Sequence, residues 1–254
     1  LGRFLGDLSN ILDKALVQRS RARKLNVING IGALLMRRFR FHRWILLFSA
    51  CVLTNTAAAA PDLSGVWDSE TWATEGWPAE PPFNEAGRAA QAAWAAAPED
   101  DPSHRCLIPL GRIISGPFPH EIIQQEDRIT FLYEYEHQVR RIFMDGRRHP
   151  EDSFPTPIGH SIGWWEGDTL VVDTVGVEDG GLLRPQGFPY TSDLHLIERY
   201  TLEDGGERLV AEIRIDDPNY YREPWTVKKR YRRYEYDIEY YECIVRPHIA
   251  PDSQ

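Results

Sequence analysis

The chain has 254 residues, with eight Trp, eleven Tyr and ten Phe, and a net charge of −9. This length suits one domain or two small ones, and so many aromatic side chains can bury a core, which excludes a disordered chain. Residues 1–59 hold ten of the 29 Lys and Arg but two of the 38 Asp and Glu, so the remainder carries a net charge of −17. Such an acidic surface repels phosphate backbones and anionic lipids, and we expect binding neither to nucleic acid nor to a membrane surface.

Residues 36–59 have the pattern of a secretory signal peptide. Four arginines at 37–43 form a positive region, residues 44–53 are apolar, and the alanines at 57–59 suit cleavage by signal peptidase. We therefore predict a periplasmic or secreted protein with no stable membrane insertion after cleavage. The alternatives are an N-terminal anchor that is never cut and a lipoprotein that begins at Cys51.

We predict a single domain over residues 60–254. Residues 1–35 precede the first Met and are interpreted as an upstream, non-native stretch. Asn84 can cap a helix over residues 85–97, which the following proline ends. Residues 98–119 contain Pro and Gly throughout and are expected to be irregular.

Two cysteines remain after removal of the signal, Cys106 and Cys243. In an oxidising compartment two thiols tend to pair, so we predict a disulfide between them. The alternative is a reactive thiol, but neither cysteine has neighbours in sequence that favour activation.

The rest of the chain alternates apolar and polar residues with a period of two, which is typical of β-strands. The predicted strands cover residues 121–125, 128–135, 138–144, 160–165, 169–175, 194–202, 208–215, 225–233 and 236–245. Turn sequences such as those at 166–168 and 203–206 join consecutive strands into hairpins. We therefore predict a mostly β fold with one short N-terminal helix, in which an antiparallel meander closes into a barrel.

The tripeptide Gly65-Val66-Trp67 stands before these strands and resembles the Gly-x-Trp opening of lipocalin-like barrels. The resemblance implies a lipocalin- or calycin-like barrel whose base is plugged by Trp67. It also implies that a basic side chain from a late strand packs against this Trp, with Arg230 and Arg232 as candidates.

The segments YEYEHQVRRIFMDGR (133–147) and GHSIGWWEGDTLVVDT (159–174), followed by ERY at 198–200, resemble a family of uncharacterised secreted bacterial proteins. This resemblance covers roughly residues 62–245. It implies export and β-architecture, and it implies no particular activity.

Glu198 is a carboxylate on the apolar face of its predicted strand, where it needs a partner. Arg140 and Arg141 point to opposite faces, so one of them is expected inside, where it can hold Glu198 or Glu134 with two hydrogen bonds. Either this pair is an internal salt bridge, or Glu198 is a general acid or base with a raised pKa. His137, at the start of the next strand, is a further catalytic candidate.

His160 and Asp173 belong to the two strands of one hairpin and can face each other. An Asp-oriented His is a usable general base, although the same pairing is also common as a purely structural contact. An Arg partner would keep Glu198 ionised, so we expect His160 to line the interior with Glu198 and to carry the proton near neutral pH.

Other chemistries have weaker support. The seven His residues after residue 60 lie at 104, 120, 137, 149, 160, 195 and 248, and no two show a tight metal-ligand spacing. We therefore predict no metal and no other cofactor. The sequence GHSIG (159–163) formally matches the nucleophile elbow of hydrolases, but that motif requires a helix after the strand, and here strand follows strand.

We expect the ligand to be a small hydrophobic or aromatic molecule. The candidate ligand-binding residues are Tyr133, Tyr135, Trp165, His195 and Trp225. The leading hypothesis is a barrel that binds such a molecule and acts on it by cofactor-free acid–base chemistry, as an isomerase, cyclase, lyase or hydrolase. The alternatives are a carrier without turnover and a structural module of the cell envelope. The sequence does not predict an oligomeric state.

Overall fold

The computed structural model describes residues 59–70, 77–98, 106, 108–152, 154–184 and 187–239, all within the compact unit Asn55–Gln254. The predicted signal peptide and Cys243 lie outside the described residues, apart from position 59. Nine of the described strands form a closed barrel, which confirms the predicted fold class. The barrel strands are β1 (Gly65–Ser69), β2 (His120–Gln124), β3 (Arg128–Tyr133), β4 (Val139–Phe143), β5 (His160–Glu166), β6 (Thr169–Val175), β9 (His195–Glu203), β10 (Arg208–Asp216) and β11 (Trp225–Tyr234).

Around the barrel the strands follow the order β1-β11-β10-β9-β6-β5-β4-β3-β2, and β1 also pairs with β2 to close the ring. A separate two-stranded sheet consists of β7 (Gly181–Leu182) and β8 (Pro189–Tyr190). The hairpins β5–β6 and β9–β10 turn where the sequence predicts them, and the alternation of buried and half-buried residues along β9 and β10 matches the period of two.

Two details of the predicted meander are wrong. Strands β4 and β5 run parallel, and they share the two register pairs Ile142–Ser161 and Phe143–Ile162. The connection over 144–159 is long enough to carry the chain back to the same barrel end, which a short antiparallel turn cannot do. The predicted strand 236–245 is not present at 235–239, and its remainder lies outside the described residues.

Two α-helices lie in the described part of the chain. Helix α1 (Glu85–Ala96) begins as predicted, because the Asn84 side chain accepts a hydrogen bond from the Gly87 N–H at 2.9 Å. Helix α2 (Leu110–Ser115) was not predicted from the sequence, since the surrounding Pro and Gly residues favour an irregular segment. Lys229, which points inward from β11, donates hydrogen bonds to the carbonyls of Ile114 and Gly116 and so satisfies the C-terminal end of α2.

Trp67 anchors the barrel base, as the resemblance to lipocalin-like barrels implies. Its side chain is completely buried, and its indole N–H donates to the Leu63 carbonyl at 2.9 Å. The cation above it is Arg233, whose guanidinium lies 4.5 Å from the ring centroid. The expected Arg230 or Arg232 is wrong because inward positions on β11 have odd numbers. Gly65 has a φ of 122°, and a Cβ there would come within 2.9 Å of Arg233 Nη1.

The described strands fill the barrel with their own side chains. Inward residues are almost inaccessible to solvent; they include Trp67, Ile122, Phe131, Ile142, Leu170, Leu196, Leu209, Ile213 and Val227. Aromatic rings contribute much of this volume, and Phe131 packs edge-on against Tyr200 with centroids 5.4 Å apart. The interior of the described barrel is therefore a packed core.

Candidate functional site

A network of polar side chains crosses the barrel interior, and we call it the inner network. It consists of Arg140, Ser161, Thr174, Glu198 and Tyr200, from the adjacent strands β4, β5, β6 and β9. Arg140 donates to both oxygens of Glu198, with Nη1 3.1 Å from Oε1, and its Nε lies 3.1 Å from Ser161 Oγ. Tyr200 donates its hydroxyl to Glu198 Oε1 at 2.7 Å. The expected internal pairing of Glu198 with one of two arginines is thus confirmed, with Arg140 as the partner.

The inner network joins β4 and β5, the neighbouring barrel strands that share the fewest backbone register pairs. Arg140 belongs to β4, and its side chain reaches across the short parallel junction to Ser161 on β5 and Thr174 on β6. Both charged side chains are at most 1 % exposed. Burial alone would lower the pKa of Arg140, but the Glu198 carboxylate holds it well above its ordinary value. The arrangement stabilises charges that water cannot reach.

A second polar group lies on the outer face of the barrel, and we call it the outer cluster: His149, His160, Asp173 and His195. Nε2 of His195 lies 2.8 Å from Asp173 Oδ1, and Nε2 of His149 lies 3.2 Å from the same oxygen. The two Nδ1 atoms of His149 and His160 are 2.8 Å apart. The side chains of His149, Asp173 and His195 are 20 %, 21 % and 39 % exposed, so solvent reaches this cluster.

Strand parity separates the two groups. Ser161 on β5, Thr174 on β6 and Glu198 on β9 point inward, so their neighbours on the same strands point outward. The expectation that His160 lines the interior with Glu198 is therefore wrong. His160 and Asp173 do share a face of the barrel, as expected, but His149 bridges them in place of a direct contact.

The histidines of the outer cluster differ in their electrostatic surroundings. The hydrogen bond to Asp173 raises the pKa of His195, while burial and the charges of His149 and Arg147 lower the pKa of His160. Burial alone would raise the pKa of Asp173, but the hydrogen bond from His195 and nearby positive charge hold it below its ordinary value. Asp173 is therefore an ionised acceptor at neutral pH.

The remaining catalytic candidates lie apart from both groups. Strand β3 ends at Tyr133, and the next residues form a 3-10 turn in which Glu136 and His137 have positive φ values of 57° and 51°. Glu134 thus falls outside the strand, where its carboxylate accepts a hydrogen bond from the Glu239 N–H at 2.9 Å. His137 and Arg141 are exposed on the outer surface.

The candidate ligand-binding residues are dispersed. Tyr133 is buried beside Arg140, and burial raises its pKa to about 12. Tyr135 stacks on Phe118 with centroids 4.6 Å apart, and Trp165 is half-buried against the core. His195 belongs to the outer cluster, and Trp225 lies at the rim of the barrel.

Sequence reasoning missed three polar residues with unusual surroundings. His149 lies in the connection between β4 and β5, where no periodicity predicts its position. His120 is buried on β2 among Phe131, Tyr133 and Tyr231, and its Nε2 has no hydrogen-bond partner among the described residues. Burial and the Lys229 charge lower the pKa of His120 to about 3, and burial lowers the pKa of Lys229 to about 7. The inward residues of β11 have odd numbers, and this alternation could have predicted that Lys229 points inward.

A pocket of about 540 Å³ opens at the barrel end where β11 begins. Its walls are Pro78, Pro81, Pro82, Trp225 and Thr226, together with the charged side chains of Glu80, Arg88, Arg222 and Glu223. We call it the rim pocket. Trp225 also packs against Trp77 at 5.3 Å and Phe188 at 6.1 Å, so an aromatic layer closes this end of the barrel.

The rim pocket and the outer cluster belong to the same barrel end. Thr226 on β11 is opposite Arg214 on β10, which is opposite Ile197 on β9, two residues from His195. Two strand spacings separate β11 from β9, or about 10 Å.

Among the described residues, no group of three or more His, Cys, Asp or Glu side chains is placed to hold a metal ion. The described helices also include none that is long and apolar enough to cross a membrane.

Comparison with protein-family models and with curated proteins finds no match. Similar solved structures include a secretary abundant heat soluble (SAHS) protein from Ramazzottius varieornatus. The two chains are 14 % identical with a TM-score of 0.27, over 67 % of this chain and 94 % of that one.

Proposed function

We propose that this protein binds a small, mainly hydrophobic or aromatic molecule in the rim pocket. The observation that carries the proposal is the pocket itself, whose volume of about 540 Å³ falls within the roughly 300–1,000 Å³ of small-molecule sites. Three prolines and Trp225 give it rigid apolar walls, and Arg88 and Arg222 offer donors to polar groups of the ligand.

The packed interior favours a binding site at the rim over one inside the barrel. The inward side chains of the described strands leave almost no accessible surface, and the inner network already satisfies Arg140 and Glu198. At the rim, by contrast, the buried indole N–H of Trp225 has no hydrogen-bond partner among the described residues.

The test begins with mass spectrometry of the purified protein under native conditions, which identifies any co-purified small molecule. Calorimetry with that molecule then compares the wild type with Trp225→Ala, which we expect to weaken binding at least about tenfold, or about 1.4 kcal/mol. Trp164→Ala is the matched control, because Trp164 is a half-exposed Trp outside the pocket. Equal affinities for Trp225→Ala and the control would contradict the proposal.

We also propose that the protein acts after export, as the pattern at 36–59 and the resemblance to secreted bacterial proteins favour. N-terminal sequencing of the exported protein should give a start near Ala60. A start at Cys51 with the mass of a lipid would instead establish a lipoprotein.

Export would permit the predicted Cys106–Cys243 disulfide. A bridge over so long a segment allows about 4–5 kcal/mol of stabilisation in the chain-entropy estimate. Alkylation of the untreated exported protein, before and after reduction, tests the pairing. Two freely alkylated thiols before reduction would contradict it.

A further inference from the structure

The outer cluster contains a chain of three hydrogen-bonded groups, and the direction of its bonds follows when His149 is neutral. His149 donates its Nε2–H to the Asp173 carboxylate, at 3.2 Å from Oδ1. A neutral imidazole carries one N–H, so Nδ1 of His149 is an acceptor. Nδ1 of His160, 2.8 Å away, must then be the donor. This order leaves Nε2 of His160 with a free lone pair at the end of the chain.

We propose that this chain is a catalytic relay, in which Nε2 of His160 activates water to hydrolyse a small ester with an apolar or aromatic portion. His160 is the catalytic residue, while His149 and Asp173 are positioning residues that act through it. The proposal goes beyond binding in the rim pocket and uses none of the pocket's residues.

The reaction balances with water as the co-reactant. Nε2 of His160 takes a proton from water while the water oxygen bonds to the ester carbonyl carbon, and the carbonyl electron pair moves onto its oxygen. Collapse of this intermediate breaks the bond to the alcohol oxygen, which receives the proton from His160. The products are a carboxylic acid and an alcohol. Asp173 stabilises the imidazolium charge through His149.

The surroundings of His160 favour this substrate class. The side chain is half-buried, so water reaches it, which suits hydrolysis better than carbanion chemistry. Phe143 stacks on the imidazole with centroids 5.3 Å apart, so an aromatic side chain borders His160. The Arg147 guanidinium lies 3.8 Å from the centroid of the Phe143 ring. This guanidinium donates to both oxygens of Asp145, with Nε 2.8 Å from Oδ1, and burial together with its positive charge lowers the pKa of His160.

The test uses the full exported protein with 4-nitrophenyl acetate and 4-nitrophenyl butyrate as probes. The wild type should hydrolyse at least one of them with saturation kinetics, and His160→Gln should lower kcat/KM at least about 100-fold. Asp152→Asn is the control, because Asp152 is an exposed carboxylate in the same connection as His149 and is not part of the cluster. It should retain wild-type hydrolysis.

Asp173→Asn separates a relay from a merely structural contact. Loss of the carboxylate should lower kcat more than it changes KM and should move the acid limb of the pH–rate profile to lower pH, because the His160 imidazolium loses its stabilising charge. Other charges also act on these imidazoles: Arg147 lies near His160, and both Asp173 and Asp216 lie near His195. Each pH–rate profile is therefore compared with that of Asp152→Asn. An unshifted profile in Asp173→Asn would overturn the relay.

Two further results would overturn the proposal. One is the absence of saturable hydrolysis by a folded wild type with both probes. The other is activity that EDTA removes and Zn²⁺ restores, which would replace the metal-free relay with a metal centre. If the proposal of binding in the rim pocket is wrong, Trp225→Ala will leave the ligand affinity unchanged. The two proposals can therefore be contradicted separately.

Discussion

The inner network and the outer cluster both include polar residues on β5, β6 and β9, and they differ in how completely their charges are enclosed. Inside, Arg140 and Glu198 are at most 1 % exposed and hold each other with two hydrogen bonds. Outside, Asp173 is 21 % exposed and accepts from two imidazoles that can also lose or gain a proton.

This difference separates groups that stabilise the fold from groups available for chemistry. A buried guanidinium cannot release its proton at physiological pH, and a carboxylate that it holds bidentately is a poor proton donor. A half-exposed imidazole near a carboxylate titrates within the physiological range and can contact a small molecule. We therefore assign Arg140 and Glu198 to barrel closure, and the proposed relay uses the histidines instead.

The largest expected effect comes from Glu198→Gln, which breaks the inner network at its centre. The substitution keeps the shape but leaves Arg140 charged and unpaired inside the barrel, so the free energy of unfolding should fall by about 3–5 kcal/mol. Urea denaturation measures this loss. The control is Glu212→Gln, because Glu212 forms an exposed ion pair with Lys228 at 3.1 Å, and its loss should cost less than about 1 kcal/mol.

Equal losses from the two Glu variants would show that Glu198 is not enclosed as the structure has it. A double variant, Arg140→Met with Glu198→Leu, removes both charges and should recover much of the stability lost by Glu198→Gln. Turnover of a well-folded Glu198→Gln protein at the wild-type rate would agree with a structural role. Abolished turnover with full stability would return Glu198 to the catalytic candidates.

The next effect on the free energy of unfolding comes from removing an apolar side chain of the barrel interior. Trp67→Ala should lower the free energy of unfolding by about 3–5 kcal/mol, because it empties the barrel base and leaves Arg233 without its ring. Trp164→Ala, on a half-exposed Trp of β5, should cost much less. A loss below about 1 kcal/mol for Trp67→Ala in urea denaturation would contradict its role as the anchor.

The sequence predicts the barrel strands well because alternation and turn composition are local properties. β6 begins and ends at the predicted residues, β9 is shifted by one residue at both ends, and β10 is one residue longer than predicted. Parity, together with the apolar residues that share its face, also placed Glu198 inside. The parallel β4–β5 pair depends on how a long connection is routed, which no local pattern encodes.

The composition of the outer cluster was harder to predict than the inner network. Glu198 is conspicuous in sequence because it interrupts an apolar face, whereas His149 lies in a connection without periodicity. Parity also shows that two strand positions share a face but does not show which face is inside. His160 was therefore assigned to the interior, although its neighbour Ser161 points there.

The smallest expected effect concerns protonation of the outer cluster. The hydrogen bond to Asp173 raises the pKa of His195, so the titration midpoint of this imidazole should lie above the ordinary value of about 6.5. Burial and nearby positive charge lower the pKa of His160, so its midpoint should lie below that value. Two histidines of one cluster should thus titrate on opposite sides of about pH 6.5, which NMR of the imidazole protons can resolve.

The signs of the linked stability changes follow from these shifts. The contribution of His195 is fully present below about pH 6.5 and is lost as pH rises through its raised folded-state pKa. His160 binds a proton more tightly when unfolded, so it favours folding above about pH 6.5 and loses this contribution as pH falls through its lowered folded-state pKa. Asp173→Asn should lower the His195 midpoint most, whereas Asp152→Asn should leave both midpoints in place. A His195 midpoint at or below that of His160 in the wild type would contradict the hydrogen bonding of the outer cluster.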